Sequence, residues 1–207
     1  MRAQMAPVDF QLPPGLSELA QASRPFFGER VCGDGMLVRA EEDGSVSLAM
    51  LDALGHGAEA HRLAREMEAW LAQAPAQAPA SRLEALHRRF LGSLGAAVCL
   101  VRLEADGALA CASVGNVLLR VLQPEQSQMP GQPGTVGQIM PRVRERRLAL
   151  RAGALLLLTT DGVREHLPAG WLEDNAGLPA RKLGSLLMSN HAKRHDDAAC
   201  IVARWGT

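Results

Sequence analysis

Four aspartates of this chain occupy positions from which they could take part in metal chemistry. They are Asp34, Asp52, Asp161 and Asp196. Asp52 follows an apolar run at 46–51, Asp161 follows another at 154–160, and the other two stand beside further strand candidates. Any one of them, taken singly, is more often a turn residue than a ligand. Several carboxylates held at strand ends repel one another unless a cation neutralises them, so the set as a whole predicts a metal site.

The ligand chemistry of this set predicts a hydrolytic centre. Carboxylate oxygens are hard ligands, and a set without His or Cys favours Mg²⁺ or Mn²⁺ over zinc. One carboxylate bridging two cations about 3.5–4 Å apart would suit an activated water and an in-line attack on phosphorus. The physical interpretation is therefore a two-metal site that acts on a phosphate ester.

Turn signals predict the strands that must position these aspartates. Segments 36–40 and 46–51 flank Asp43-Gly44, and segments 97–103 and 108–114 flank Asp106-Gly107. Asp-Gly supplies the positive φ that a tight turn needs, so each pair is predicted to form a β-hairpin. Residues 117–122, 154–159 and 199–205 are three further strand candidates.

Apolar residues at helical spacing predict three helices. The first begins after Gly57 and has its apolar face on Ala60, Leu63 and Met67. A linker at 74–80 follows, and Ser81 is expected to cap the second helix. The third is expected at about 179–190. Hairpins interrupted by a helical pair favour an α+β fold, a four-layer αββα sandwich of two antiparallel sheets flanked by helices.

The bulk properties predict one domain over residues 1–207, with a lead-in at 1–20 and a long exposed Pro/Gly-rich loop at 124–141. The formal net charge is zero, which gives no reason to expect a nucleic-acid or membrane partner. No apolar run reaches signal-peptide or membrane-spanning length, so a cytoplasmic location is expected. Four scattered cysteines predict buried thiols. The few aromatic residues favour a monomer.

Four motifs, taken in order, resemble the SpoIIE-type branch of the PPM metal-dependent serine/threonine phosphatases. They are SRPFFGERVCGDG at 23–35, LDALGHG at 51–57, TTDGV at 159–163 and DDAACIV at 196–202. The short chain and its Arg-Pro…Gly-Glu…Gly-Asp opening are most similar to the stressosome phosphatases of that branch. The chain departs from the family pattern at Cys32, where a small hydroxyl residue is common, and at Asp197, where Asn is common. The resemblance implies the same αββα sandwich.

The resemblance also implies a role for each aspartate and a pair of divalent cations, Mn²⁺ or Mg²⁺. Asp52 matches the aspartate that bridges the two cations, and the backbone carbonyl of Ala53 matches a further ligand. Asp161 and Asp196 match ligands of one cation, and Asp34 matches the aspartate near the other. The implied reaction is attack of a metal-bridging hydroxide on phosphoserine or phosphothreonine, without a phosphoenzyme.

Other residues near these motifs have two interpretations each. His56 could protonate the leaving alkoxide, or Gly-His-Gly could simply start a helix. Asn116 could contact substrate or form a turn with Gly115. The basic run 193–195 could attract phosphate or be a solvated surface run. Arg24 and Arg30 could clamp phosphate or be ordinary surface arginines.

The resulting functional hypothesis is dephosphorylation of a bacterial signalling protein, such as a stressosome component or an anti-sigma-factor antagonist. One alternative is a non-catalytic binding module of the same fold that docks such a partner. A missing metal aspartate would favour that module, and none is missing. A second alternative, a hydrolase of small phosphate esters, would have the same site chemistry and differs only in its substrate rates.

Overall fold

The computed structural model describes residues 4–5 and 12–206. This part of the chain contains eleven strands and four helices. In chain order they are β1 (Gln4–Met5), β2 (Leu16–Arg24), β3 (Asp34–Ala40), β4 (Val46–Ala53), α1 (Gly57–Gln73), α2 (Pro79–Arg89), β5 (Ala96–Leu103), β6 (Ala108–Val114), β7 (Leu118–Gln123), β8 (Glu125–Pro130), β9 (Arg146–Ala149), β10 (Leu155–Thr159), α3 (Trp171–Asn175), α4 (Ala180–His191) and β11 (Ala198–Trp205). No helix among the described residues is both long enough and apolar enough to cross a membrane.

The strands form two antiparallel sheets. One has six strands in the order β1-β2-β11-β10-β7-β8, and the other has five in the order β3-β4-β5-β6-β9. Both predicted hairpins are present, as β3–β4 and β5–β6. The sheets pack face to face around a buried apolar cluster that includes Met50 from one sheet and Leu158 and Ile201 from the other. The predicted αββα sandwich is confirmed.

Both faces of the central strands are buried, which explains their continuous apolar sequences. In β4, Leu48 and Met50 face the other sheet, whereas Ala49 and Leu51 face the helices. Helices α1 and α2 cover the five-stranded sheet with one apolar face each, and α4 covers the six-stranded sheet in the same way. A fully buried leucine contributes about 1.5–3 kcal/mol relative to an exposed one, so these layers form the main source of stability.

A buried arginine of α2, Arg82, joins this helix to the end of α1 and to the β3–β4 hairpin. The guanidinium of Arg82 is almost fully buried and donates to Glu41 Oε1 at 3.0 Å and to Ser47 Oγ at 2.9 Å. It also donates to the carbonyl of Leu71 in the last turn of α1. Arg39 donates to the carbonyl of Ala74, the C-cap residue, at 2.8 Å. Two arginines thus satisfy carbonyls that the end of a helix leaves without partners.

The prediction that Ser81 caps the second helix is wrong. Helix α2 begins two residues earlier at Pro79, and its N-cap is Ala78, whose side chain makes no capping hydrogen bond. Proline suits the first helical position because its φ is already helical and its missing N–H would have no partner there. Pro79, the second of the two prolines in the predicted linker, therefore marks the helix start.

The predicted lead-in and loop contain strands that the sequence pattern did not reveal. Residues 16–20 of the lead-in belong to β2, which pairs with β11, while residues 1–3 and 6–11 lie outside the described residues. Within the predicted loop 124–141, Glu125–Pro130 forms β8 and pairs with β7. The loop prediction is therefore wrong for these six residues. β8 is an edge strand with a mainly polar sequence, so hydrophobic alternation could not identify it.

The four cysteines are free thiols in the structure. Cys99, Cys111 and Cys200 are buried, as predicted, whereas Cys32 is partly exposed. Cys32 lies two residues before Asp34 and its thiol donates to the carbonyl of Arg24. Burial and the nearby Asp34 carboxylate raise the pKa of Cys32 well above its ordinary value, so this thiol stays protonated.

Candidate functional site

The four predicted aspartates lie at the ends of two pairs of neighbouring strands. Asp34 opens β3 and stands directly opposite Asp52, the penultimate residue of β4. Asp161 follows β10 by two residues, and Asp196 precedes β11 by two. β10 and β11 are antiparallel neighbours, so the end of one meets the start of the other. Each sheet therefore positions two of the four predicted aspartates.

The charges of these side chains act on one another. Burial, together with the negative charges of Asp161 and Asp196, raises the pKa of Asp52 to about 8. Burial and the charge of Asp52 raise the pKa of Asp34 well above its ordinary value. Burial and Asp161 also raise the pKa of Asp196. Because the charges of one sheet act on carboxylates of the other, these side chains are described together as one acidic cluster.

Two hydrogen-bond donors hold carboxylates of this cluster in place. The hydroxyl of Thr160 donates to Asp34 Oδ2 at 2.8 Å and accepts from the amide of Ala199 at 2.9 Å. It thereby ties β3 of one sheet to β11 of the other. The side-chain amide of Asn116 donates to Asp161 Oδ2. Thr160 could not be assigned from the sequence, since a hydroxyl just after an apolar strand gives no signal of its partner.

The turn between β6 and β7 has a conformation that places Asn116 beside Asp161. Gly115 has a φ of 89°. A β-carbon there would lie 2.4 Å from the Ala97 side chain, so only glycine fits. Of the two interpretations of this motif, the turn is observed. The turn also places the side-chain amide of Asn116 where it donates a hydrogen bond to Asp161 of the acidic cluster.

Asp197 is also part of the cluster, although the sequence analysis treated it only as a departure from the family pattern. Its Oδ1 accepts a hydrogen bond from the amide of Phe26 at 2.8 Å. Its Oδ2 is buried and has no hydrogen-bond partner among the described residues. A buried carboxylate oxygen without a partner is costly unless a proton or a cation satisfies it. This oxygen therefore indicates a need for positive charge in the cluster.

The last residue of β2 fixes the loop that carries Asp196. Arg24 donates to the carbonyl of Lys193, and the amide of Lys193 donates to the carbonyl of Gly162 at 2.7 Å. The Arg24 guanidinium thus binds backbone, which favours a role in holding the loop over the suggested phosphate clamp. Arg30 is exposed, in keeping with an ordinary surface arginine.

His56 lies at the rim, at the N-cap position of α1. Its ring stacks on Phe26 with 4.4 Å between centroids, and its Nδ1 lies 3.1 Å from Glu29 Oε1. The side chain is 53% exposed. Gly55 and Gly57, on either side, have positive φ values of 90° and 78°, as expected for a tight turn. The turn and the stacking hold the imidazole in place, and its role as an acid stays a prediction.

The residues present fit a hard divalent cation, although they do not form a closed ligand set in this structure. Among the described residues, no group of three or more His, Cys, Asp or Glu side chains is arranged to hold a metal ion. Mutual repulsion is expected to keep bare carboxylates apart. The donors are nevertheless all oxygens and short of positive charge, with Asp34 buried and Asp52, Asp161 and Asp196 partly buried. Ala53 ends β4 beside them, and its carbonyl stays a predicted ligand.

A cavity of about 370 Å³ opens beside Asp161. Its polar lining residues are Asn116, Thr159, Thr160, Asp161, Glu165 and Lys193. A larger cavity of about 560 Å³ lies between β9 and the α1–α2 connection, and none of the aspartates of the cluster lines it. The smaller cavity is therefore the one connected with the candidate chemistry.

Comparison with known proteins identifies the family. The family model for Stage II sporulation protein E (SpoIIE) matches residues 42–206. A search of curated protein sequences gives no significant match. A chain from a study of the bacterial stressosome, as a modular system adapted to control secondary messenger signalling, is 30% identical, with a TM-score of 0.83. That comparison covers 90% of this chain and 98% of the other.

Two further solved structures share the fold at lower identity. RsbX in complex with magnesium has a TM-score of 0.77 at 16% identity, over 99% of this chain and 100% of its own. The PP2C phosphatase domain of SpoIIE from Bacillus subtilis, with a fragment of its regulatory domain, has a TM-score of 0.73 at 18% identity. That comparison covers 98% of this chain and 70% of the other. The similarity to RsbX is structural. The chain belongs to the SpoIIE family and is an enzyme of the PP2C-type (PPM) serine/threonine phosphatase class.

Proposed function

We propose that this enzyme removes phosphate from phosphoserine or phosphothreonine of a bacterial signalling protein, with two divalent cations, Mg²⁺ or Mn²⁺, as cofactors. The observation that supports this proposal is the partly buried acidic cluster to which both sheets contribute. The cations would be held by Asp34, Asp52, Asp161, Asp196 and the carbonyl of Ala53. When bound, they would supply an activated water and neutralise charge that develops on the phosphoryl group.

The chain's own residues give each ligand a distinct environment. Asp52 is opposite Asp34 in one sheet and is affected by the charges of the other sheet, which suits the bridging position. Thr160 holds Asp34 and Asn116 holds Asp161, and such supporting hydrogen bonds fix the orientation of ligands. Asp197 would compensate the remaining positive charge from just behind the ligands.

His56 is the proposed proton donor to the leaving serine or threonine oxygen. Its Nδ1 faces Glu29, which leaves Nε2 as the nitrogen available for proton transfer. The stacked Phe26 ring restricts rotation of the imidazole. An imidazole at the rim of the cluster could exchange protons with solvent between turnovers because half of its surface is exposed.

A stressosome component or an anti-sigma-factor antagonist is the proposed substrate. The support is the 30% identical chain from the stressosome study and the structural similarity to RsbX. The binding-module alternative has no such support, because the family is one of enzymes and the aspartate set is complete. A hydrolase of small phosphate esters would use the same site, so the experiment includes that comparison.

The first test is Asp52→Asn, assayed for phosphate release from a serine-phosphorylated anti-sigma antagonist with Mn²⁺ or Mg²⁺ and with chelator. We expect wild-type release to require the metal. The variant should be more than about 100-fold slower than the wild type. Loss of a residue that supports a metal ligand typically costs about 10–100-fold in activity, and loss of the ligand itself should cost more. Asp106→Asn is the matched control, since Asp106 is exposed and only accepts from the amide of Ala108 in a turn.

Metal-dependent turnover by Asp52→Asn at the wild-type rate would overturn the ligand assignment. Equal release with and without chelator would overturn the metal dependence. Faster hydrolysis of small esters than of the phosphoprotein, measured as kcat/KM, would favour the small-ester alternative.

A further inference from the structure

Lys193 lies at the mouth of the candidate site. It belongs to the connection between α4 and β11, three residues before Asp196, and it is half-buried. It lines the 370 Å³ cavity together with Asp161 and Asn116. Its backbone is fixed on both sides, by Gly162 and by Arg24. The side chain therefore projects from a rigid position beside the acidic cluster.

The ammonium group of Lys193 is close to the cluster but not paired with it. Its positive charge opposes the rise in the pKa of Asp196. No carboxylate among the described residues lies within 4.0 Å of its amino nitrogen, which is the distance of an ion pair. A half-buried cation in this position can accept an anionic ligand without first breaking a salt bridge.

Three other cationic side chains near the site are already engaged. Arg24 donates to the Lys193 carbonyl. Arg120 is buried and donates to the carbonyl of Glu165. The guanidinium of Arg194 lies 5.9 Å from the centre of the exposed Phe27 ring. Among these cations, Lys193 is the one without a partner and with access to the cavity.

We propose that Lys193 binds the phosphoryl group of the substrate in the cavity beside Asp161. A phosphomonoester dianion that approaches five carboxylates meets repulsion, and an ammonium at the cavity wall would offset part of it. Lysine acts on phosphate as a compact point charge with three rotatable donors. This inference rests on the proposed function, and it assigns to Lys193 a direct contact with substrate and with the phosphate product.

The composition of the chain allows a clean test. Of the 22 lysine and arginine residues only two are lysines, Lys182 and Lys193. Lys182 is exposed near the start of α4 and does not line the cavity. It serves as an internal reference for chemistry at Lys193 and as the matched control for substitution.

The kinetic experiment compares Lys193→Gln, Lys193→Arg and Lys182→Gln, with inorganic phosphate as inhibitor of Mg²⁺-dependent hydrolysis. We expect Lys193→Gln to raise KM and the phosphate inhibition constant about tenfold or more, as for loss of a charge-assisted hydrogen bond. Lys193→Arg keeps the positive charge, so its KM and phosphate inhibition constant should be close to those of the wild type. Lys182→Gln should match the wild type in both constants. The Mg²⁺ concentration for half-maximal rate should not rise, because removal of a positive charge near Asp196 cannot weaken cation binding, and this separates phosphate binding from metal binding.

The second experiment does not depend on turnover. Wild-type protein with Mg²⁺ is treated with an amine-reactive acylating reagent, and modification of each lysine is followed by mass spectrometry. Inorganic phosphate should slow acylation of Lys193 and leave Lys182 unaffected. Equal rates with and without phosphate, or an unchanged inhibition constant in Lys193→Gln, would overturn the role of Lys193. If wild type hydrolyses no phosphoester, the proposed function fails, and the acylation result still decides whether Lys193 binds phosphate.

Discussion

The hydrogen bond from Asn116 to Asp161 connects the turn between the two sheets to the candidate metal site. We predict that Asn116→Ala raises the Mg²⁺ concentration for half-maximal activity by about 10–100-fold, because Asp161 loses the donor that orients it. Asn190→Ala, on the exposed end of α4, is the control. The measurement is the initial rate as a function of Mg²⁺ concentration. An unchanged metal dependence in Asn116→Ala would show that Asp161 needs no support from this turn.

The contrast between Asp52 and Asn116 shows how far single residues could be assigned from sequence. Asp52 was found because it belongs to a set of four aspartates at strand ends, although singly it would more often be a turn residue. Asn116 stands in a Gly-Asn pair, which has an ordinary explanation as a turn, so its contact with Asp161 could not be foreseen. The unsatisfied oxygen of Asp197 is likewise a property of burial, which depends on both sheets at once.

The junction of α1 and α2 depends on the buried Arg82–Glu41 pair. We predict that Arg82→Ala lowers the free energy of unfolding by about 3–5 kcal/mol, because Glu41 is left buried with less compensation and the Leu71 carbonyl loses its donor. Chemical denaturation followed by far-UV circular dichroism measures the change.

Arg62→Ala is the control for that measurement. Arg62 lies on the exposed face of α1, and its ion pairs with Glu59 and Glu66 have separations of 4.0 Å. Its loss should cost less than about 1 kcal/mol. If the two substitutions had the same effect, the buried network would contribute no more than a surface pair.

At the scale of elements, the sequence identified those that bury a regular apolar face. Both Asp-Gly hairpins, α1 and the central strands β10 and β11 are as predicted, within a few residues. β8 was missed because an edge strand pairs through its backbone and can have a polar sequence. The start of α2 was misplaced because Ser81 was given more weight than Pro79. Edge strands and helix starts depend on backbone hydrogen bonds. Such bonds place few demands on side-chain type, so the sequence pattern predicts these features poorly.

At the scale of the whole molecule, a cation in the site would hold the two sheets together. We predict that Mg²⁺ at about 100 times its Kd stabilises the wild type by about 2.7 kcal/mol and raises Tm by roughly 5–10 °C. With chelator, Asp52→Asn should melt above the wild type, because one carboxylate is removed from a repelling cluster. Addition of Mg²⁺ should then raise its Tm less. Differential scanning fluorimetry in both conditions checks this.

Asp106→Asn should follow the wild type in both conditions, since Asp106 is outside the cluster. A Tm of Asp52→Asn below the wild type in chelator would mean that the Asp52 carboxylate stabilises the fold without a cation, contrary to the repulsion inferred from its raised pKa.

The position of β11 has a consequence for the order in which the protein becomes active. This strand lies between β2 and β10, in the interior of the six-stranded sheet, and Asp196 precedes it by two residues. Ribosomes make residues 196–205 after all the other elements of the fold. A nascent chain therefore cannot close this sheet or complete the acidic cluster until these residues have emerged. Translation products interrupted before them would have no phosphatase activity, so the cell would not be exposed to an active but incomplete enzyme.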